Sequence, residues 1–167
     1  LAAMHSLAED CAARCVLGPD TAIEIESIDE TNTRVDVPAI LARLRASDGG
    51  GLVCLVGVQT NQYPRALDLA RPFRAANVPV VIGGFHVSGC LSMLDGHAVG
   101  LDACREMGVT IFAGEAEGRL ETLLRDAYAG VLAPVYDFLK DLPVMQRTPV
   151  PFLPVRNVAR TLGLTAS

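Results

Sequence analysis

Hydrophobic positions recur along this chain in two alternating rhythms, one with the period of a helix and one with that of a strand. In residues 2–15, Met4, Leu7, Ala8, Cys11 and Cys15 fall at helical spacing until Gly18-Pro19 ends the pattern, which predicts a first helix. The stretch "TAIEIES" alternates Ile23 and Ile25 with Glu24 and Glu26, the period of two expected for a strand with one exposed face at a sheet edge. Asp36 precedes Val37-Pro38, and Ile40, Leu41 and Leu44 then repeat at helical spacing as far as Gly49-Gly50-Gly51. "GLVCLVGV", Gly51 to Val58, is a continuous apolar run, as expected of a central strand covered by helices on both faces.

The alternation continues. "PRALDLARPFRAAN" places Leu67, Ala70 and Phe73 on one side of a helix in which Pro72 is a kink candidate. "VPVVIGG" reads as a strand, "AVGLDACREMG" as a helix closed by Gly108, and "VTIFAGE" as another buried strand. "GRLETLLRDAYAG" is an amphipathic helix with Leu120, Leu123, Leu124 and Ala127 inward. From Ala133 the chain turns proline-rich without core periodicity, and 133–167 reads as a docked tail or linker. Alternating strands and helices imply the α/β class: a Rossmann-like or flavodoxin-like three-layer domain with a mainly parallel sheet and helices on both faces. Such a domain normally begins with a strand, so a first strand is expected upstream of Leu1, and the chain reads as an excised piece of something longer.

Composition narrows the function classes. With 167 residues, half of them hydrophobic and 20% charged, the chain is a single globular domain and soluble. A net charge of -5 supplies no electrostatic footprint for nucleic acid, and no Lys/Arg run marks a membrane surface. The 5 cysteines are an odd number without a signal peptide, which implies free thiols and a reducing, cytoplasmic setting. Neither G-x-G-x-x-G nor G-x-x-x-x-G-K-[ST] occurs, so a flavin or nucleotide site would need an improvised phosphate cradle.

Ligands of open parallel sheets lie beyond the carboxyl ends of the strands, and three strand ends here are unusual. "VGVQTNQYP" offers Gln59, Thr60 and Asn61 beside Gly57. "IGGFHVSG" offers Gly83 and Gly84, where a ligand could approach the backbone closely, followed by Phe85, His86 and Ser88. "AGEAEG" sets Glu115 and Glu117 between Gly114 and Gly118 at a helix start. Each also has a plain structural reading: glycines serve turns, "QTNQ" caps a helix, and the glutamates favour a helix dipole. The coincidence of three such ends favours a binding site.

These segments also carry a resemblance. "GLVCLVGVQTNQYPRALDLARPFRAANVPVVIGGFHVSG" followed by "GVTIFAGEAEGRLETLLRDAYAG" resembles the cobalamin-binding domain at the amino end of B12-dependent radical SAM proteins, over roughly residues 20–130. That family carries a "GLS" or "GVQ" segment, a "VPVVIGG.H" strand and a "GEGE"-like turn in this order. The tail "PVYDFLKDLPVMQRTPVPFLP" is similar to the linker that leads such chains into their radical SAM barrel. The resemblance implies a cobalamin-binding-like domain over 1–132, with the nucleotide tail along the Gly57, Gly83-Gly84 and Gly114 ends. It implies as partner a radical SAM domain of the same parent chain, where the 4Fe-4S cluster and S-adenosylmethionine would reside.

Two departures limit what it implies. The iron–sulfur motif C-x-x-x-C-x-x-C is not present, because the position three residues after Cys11-x-x-x-Cys15 is Gly18; the two cysteines read as core on one helix face, and this segment carries no radical chemistry of its own. Asp95, His97 and Gly100 spell D-x-H-x-x-G, the pattern that presents a histidine to cobalt in methionine-synthase-type domains. There it precedes the double glycine; here it follows. His97 is thus the candidate metal ligand, and a loop or helix-start role for Asp95 and Gly96 is the competing reading. Two functions remain: a cobalamin carrier, or a domain that keeps the fold without cofactor and serves as a docking or substrate-recognition platform.

Overall fold

A computed structural model of the chain describes residues 1–31, 33–47, 50–93, 100–144, 146 and 148–158. Four strands, β1 (Val53–Leu55), β2 (Val80–Gly83), β3 (Thr110–Ala113) and β4 (Val135–Asp137), form one sheet in the order β1-β2-β3-β4. Every pairing is parallel, with Cys54 opposite Val81, Ile82 opposite Ile111, and Phe112 opposite Tyr136. Helices cover both faces, which makes this the α/β three-layer arrangement expected of alternating strand and helix patterns.

The layers follow from side-chain alternation along each strand. Val80, Ile82 and Ile111 point to one face, where they meet Tyr63, Ala66, Ala70 and Phe73 of α3 (Tyr63–Ala75), Val87 of α4 (Phe85–Met93) and Cys104 of α5 (Asp102–Glu106). Ile40 and Leu41 of α2 (Val37–Ala46) flank that core. Val81, Phe112 and Tyr136 point to the other face, where Leu7 and Cys11 of α1 (Ala2–Ala13) and Leu120 and Leu123 of α6 (Leu120–Tyr128) cover them. A short seventh helix, α7, spans Val155–Val158. Ile82 and Ile111 are fully buried, and each such side chain contributes about 1.5–3 kcal/mol relative to exposure.

Local signals explain the element boundaries. Asp36 accepts a hydrogen bond from the Ala39 N–H (3.0 Å) and Pro38 occupies the first turn, so α2 starts where a cap and a preset φ coincide. Gln59 and Gln62 cap one another across the 3₁₀ turn Thr60–Gln62, which feeds directly into α3. That helix runs through Pro72 to Ala75.

Four expectations are corrected. "TAIEIES" forms no strand: Ile23 and Ile25 are half-buried and Glu24 and Glu26 exposed, but the segment has no ladder partner among the described residues. β1 stands at the end of the sheet and not at its centre. Val135–Asp137, within the stretch read as tail or linker, supplies the fourth strand. Of the cysteine pair expected in the core, Cys11 is buried, whereas Cys15 lies beyond the helix end, exposed and at φ 49°.

Within the described part of the tail, Phe152 and Asn157 contact the α1 side of the domain. The Phe152 N–H donates to Ser6 Oγ (2.8 Å), its ring meets the buried His5 ring edge-on at 5.1 Å, and Asn157 Nδ2 donates to the Ser27 carbonyl (2.6 Å). Among the described residues, no helix is long and apolar enough to cross a membrane.

Candidate functional site

The parallel sheet brings the ends of β1, β2 and β3 to one edge, and backbone hydrogen bonds lace them together. The Val58 N–H donates to the Gly83 carbonyl (3.1 Å), and the His86 N–H donates to the Val58 carbonyl (3.0 Å). The Gly114 N–H donates to Ser88 Oγ (3.2 Å), joining the β3 end to α4. Gly57, Gly83, Gly84, His86, Ser88 and Gly114 therefore lie at one edge, with Gln59, Thr60 and Asn61 exposed on the turn above β1. Phe85 is also at this edge, 69% exposed.

The glycines divide into two kinds. A Cβ on Gly84, which sits at φ +136°, would stand 2.2 Å from the Val58 nitrogen and 2.7 Å from the Gly57 carbonyl carbon. A Cβ on Gly114 (φ +100°) would stand 2.9 Å from the Phe138 carbonyl. On Gly83 it would come within 3.2 Å of the Phe112 carbonyl oxygen. The space the sequence reading left for a ligand at the double glycine is thus taken by the chain's own backbone. Gly57 (φ +67°) has nothing within 4 Å of its Cβ position, so the open approach lies over the β1 end.

The side chains converge on His86. Its Nδ1 lies 3.4 Å from Thr60 Oγ1, its Nε2 3.8 Å from Cys90 Sγ, and its ring 4.1 Å from that of Tyr63. Behind it, the Tyr63 hydroxyl contacts Cys104 Sγ at 3.2 Å. Burial first, and the contact with Cys104 second, push the Tyr63 phenol well above its usual range. Burial likewise raises the Cys104 thiol, against the hydrogen bond from Tyr63 that lowers it. Tyr63, Cys90 and Cys104 were not among the candidates read from the sequence; the i, i+4 spacing of His86 and Cys90 on a helix was the signal that could have found Cys90.

The glutamates stand apart from this cluster. Glu115 is exposed and Glu117 half-buried on the turn before α6, where Arg119 pairs with Asp141 and lies over the Phe138 ring at 5.0 Å. His97 lies outside the described residues, as does Asp95. Among the described residues, no group of three or more His, Cys, Asp or Glu side chains is placed to hold a metal ion. Two clefts lie away from the edge: one of about 420 Å³ beside Cys15, Leu17 and Tyr128, and one of about 340 Å³ at the strand starts, near Val80, Thr110 and Pro134.

No family model matches the chain, and no curated protein does. Among solved structures, the chain is similar to the N-terminal domain of the hypothetical protein TM0182 of Thermotoga maritima, with 12% identity and a TM-score of 0.48 over 80% of this chain and 88% of that one.

Proposed function

We propose that this domain is a cobalamin-binding module that presents the corrinoid to a radical SAM domain of its parent chain, in a cytoplasmic protein. The observation that supports the reading is the open edge above β1, where Gly57 leaves its surroundings free and Gln59, Thr60 and Asn61 stand exposed beside half-buried His86 and Ser88. Those residues fit a polar, extended group: amide and hydroxyl side chains both donate and accept, as the amide-bearing rim and nucleotide tail of a corrinoid require. Bound cobalamin would supply cobalt-centred carbon-transfer chemistry. Gly57, Gln59, Thr60 and Asn61 would hold its polar periphery, and the exposed Phe85 would offer an apolar contact for the macrocycle face.

A second reading has its own support. The double glycine and Gly114 are filled by the chain's backbone, and Phe85 and Met93, 69% and 83% exposed, suit a docking platform that carries no cofactor. A visible spectrum of the purified protein after incubation with hydroxocobalamin and desalting separates the two. Retained corrinoid bands, weakened by Asn61→Leu and kept by His97→Ala, are the result expected of the carrier. A colourless protein overturns it and leaves the platform.

A further inference from the structure

We propose that Cys90 is a nucleophilic thiol activated by His86, which Thr60 orients, and that it reacts with small carbon electrophiles arriving at the open sheet edge. The inference goes beyond the corrinoid reading and does not depend on it. His86 and Cys90 are one turn apart on α4, so their side chains share a face. The Nε2–Sγ distance of 3.8 Å is hydrogen-bonding range for sulfur, and Thr60 Oγ1 stands at the other ring nitrogen. When Nδ1–H donates to Thr60, Nε2 carries the lone pair that accepts the thiol proton. The Tyr63 ring, tilted 36° against the imidazole, fixes its plane. A nucleophile within reach of a base, and the base held by a third group, is the arrangement that activates thiols and hydroxyls generally.

The other cysteines lack this arrangement. Cys11 and Cys104 are buried, and burial raises both thiols. Cys15 and Cys54 are exposed, but among the described residues neither has an imidazole at its sulfur. Tyr63 on α3 packs on the imidazole, and its phenol has Cys90, Cys104 and Asp102 as ionisable neighbours. Burial holds the Tyr63 phenol and the Cys104 thiol in their neutral forms.

The reaction balances without an oxidant. The thiol proton passes to His86 Nε2, a sulfur electron pair forms the S–C bond, and the leaving group departs with the electrons of the bond that breaks. With iodoacetamide as the probe, that group is iodide.

The test is site-resolved alkylation of the intact protein with iodoacetamide, read by peptide mass spectrometry over a range of pH. Cys90 is expected to react about tenfold faster than exposed Cys15 near pH 7. His86→Phe, which keeps a ring against Tyr63, is expected to bring Cys90 down to the Cys15 rate. Thr60→Val, at an exposed position, should give an intermediate rate with an unchanged circular-dichroism spectrum. A Cys90 rate no greater than that of Cys15 overturns the proposal, as does an undiminished rate in the Thr60 variant should the His86 variant fail to fold. No corrinoid is present in this experiment, so its failure leaves the carrier reading where it stood.

Discussion

At Gly84 the backbone turns through a conformation that side chains rarely adopt, and the missing Cβ is what lets β2 end against the Val58 amide. Gly57 shares the positive φ but faces open space. The two therefore make a matched pair, one carrying strain alone and the other strain plus a backbone clash. Gly57→Ala is expected to cost about 1–2 kcal/mol, the penalty of a left-handed conformation, whereas Gly84→Ala should cost at least about twice that. At about 2–4 °C per kcal/mol for a chain of this size, thermal unfolding followed by circular dichroism resolves the difference. Equal shifts in melting temperature would show that the Val58 backbone yields without cost. The same pair marks how far the sequence could be read: "IGG" announces that something approaches closely, but not whether that something is a ligand or a distant part of the chain. His86 was legible as a candidate by its place after a strand; its partners Tyr63 and Cys104 were not, because helical spacing makes a tyrosine and a cysteine read as core.

The elements show the same division between what a pattern reports and what it leaves open. The apolar run at β1 is covered on one face, where Val53 and Leu55 pack with the α3 layer; on the other, Leu52 just before the strand meets the α1–α6 layer while Cys54 is exposed. Cover says nothing of lateral neighbours, and β1 ends the sheet. "TAIEIES" keeps its period of two in burial because Ile23 reaches the α1–α6 core, yet a ladder needs a second edge that periodicity cannot supply. β4 was missed for the opposite reason, being three residues long behind Pro134. It is anchored by Tyr136, whose hydroxyl donates to Asp126 Oδ2 on α6 (2.5 Å) and accepts from the Ala133 N–H (3.2 Å). Tyr136→Phe leaves a half-buried carboxylate and an amide without that partner, so a loss of about 1–3 kcal/mol is expected. Tyr128→Phe removes an exposed contact to Thr21 and should cost near zero. Denaturant midpoints of the two variants that coincide would refute the anchoring role.

Across the whole molecule, each face of the sheet holds a phenol and a thiol in its packing. Tyr63 and Cys104 lie in the α3–α5 layer, Tyr136 and Cys11 in the α1–α6 layer. Burial is the largest cause that raises all four above their ordinary values, 10.0 for the phenols and 9.0 for the thiols. The sign of the consequence follows from proton counting. Above pH 9 to 10 the unfolded chain has released these protons while the folded chain keeps them, so the folded state binds more protons and stability falls as pH rises. Below the ordinary values both states are protonated, and the groups contribute no slope. Urea midpoints measured from about pH 8 to about pH 11 should therefore be level at first and then decline, the thiols setting the onset and the phenols the steeper part. Tyr63→Phe removes one of the two late-titrating groups, so its decline above pH 10 should be shallower than that of the parent, whatever its stability at neutral pH. A parent curve that stays level to pH 11 would mean that these side chains meet water far more than their packing between the two helical layers implies.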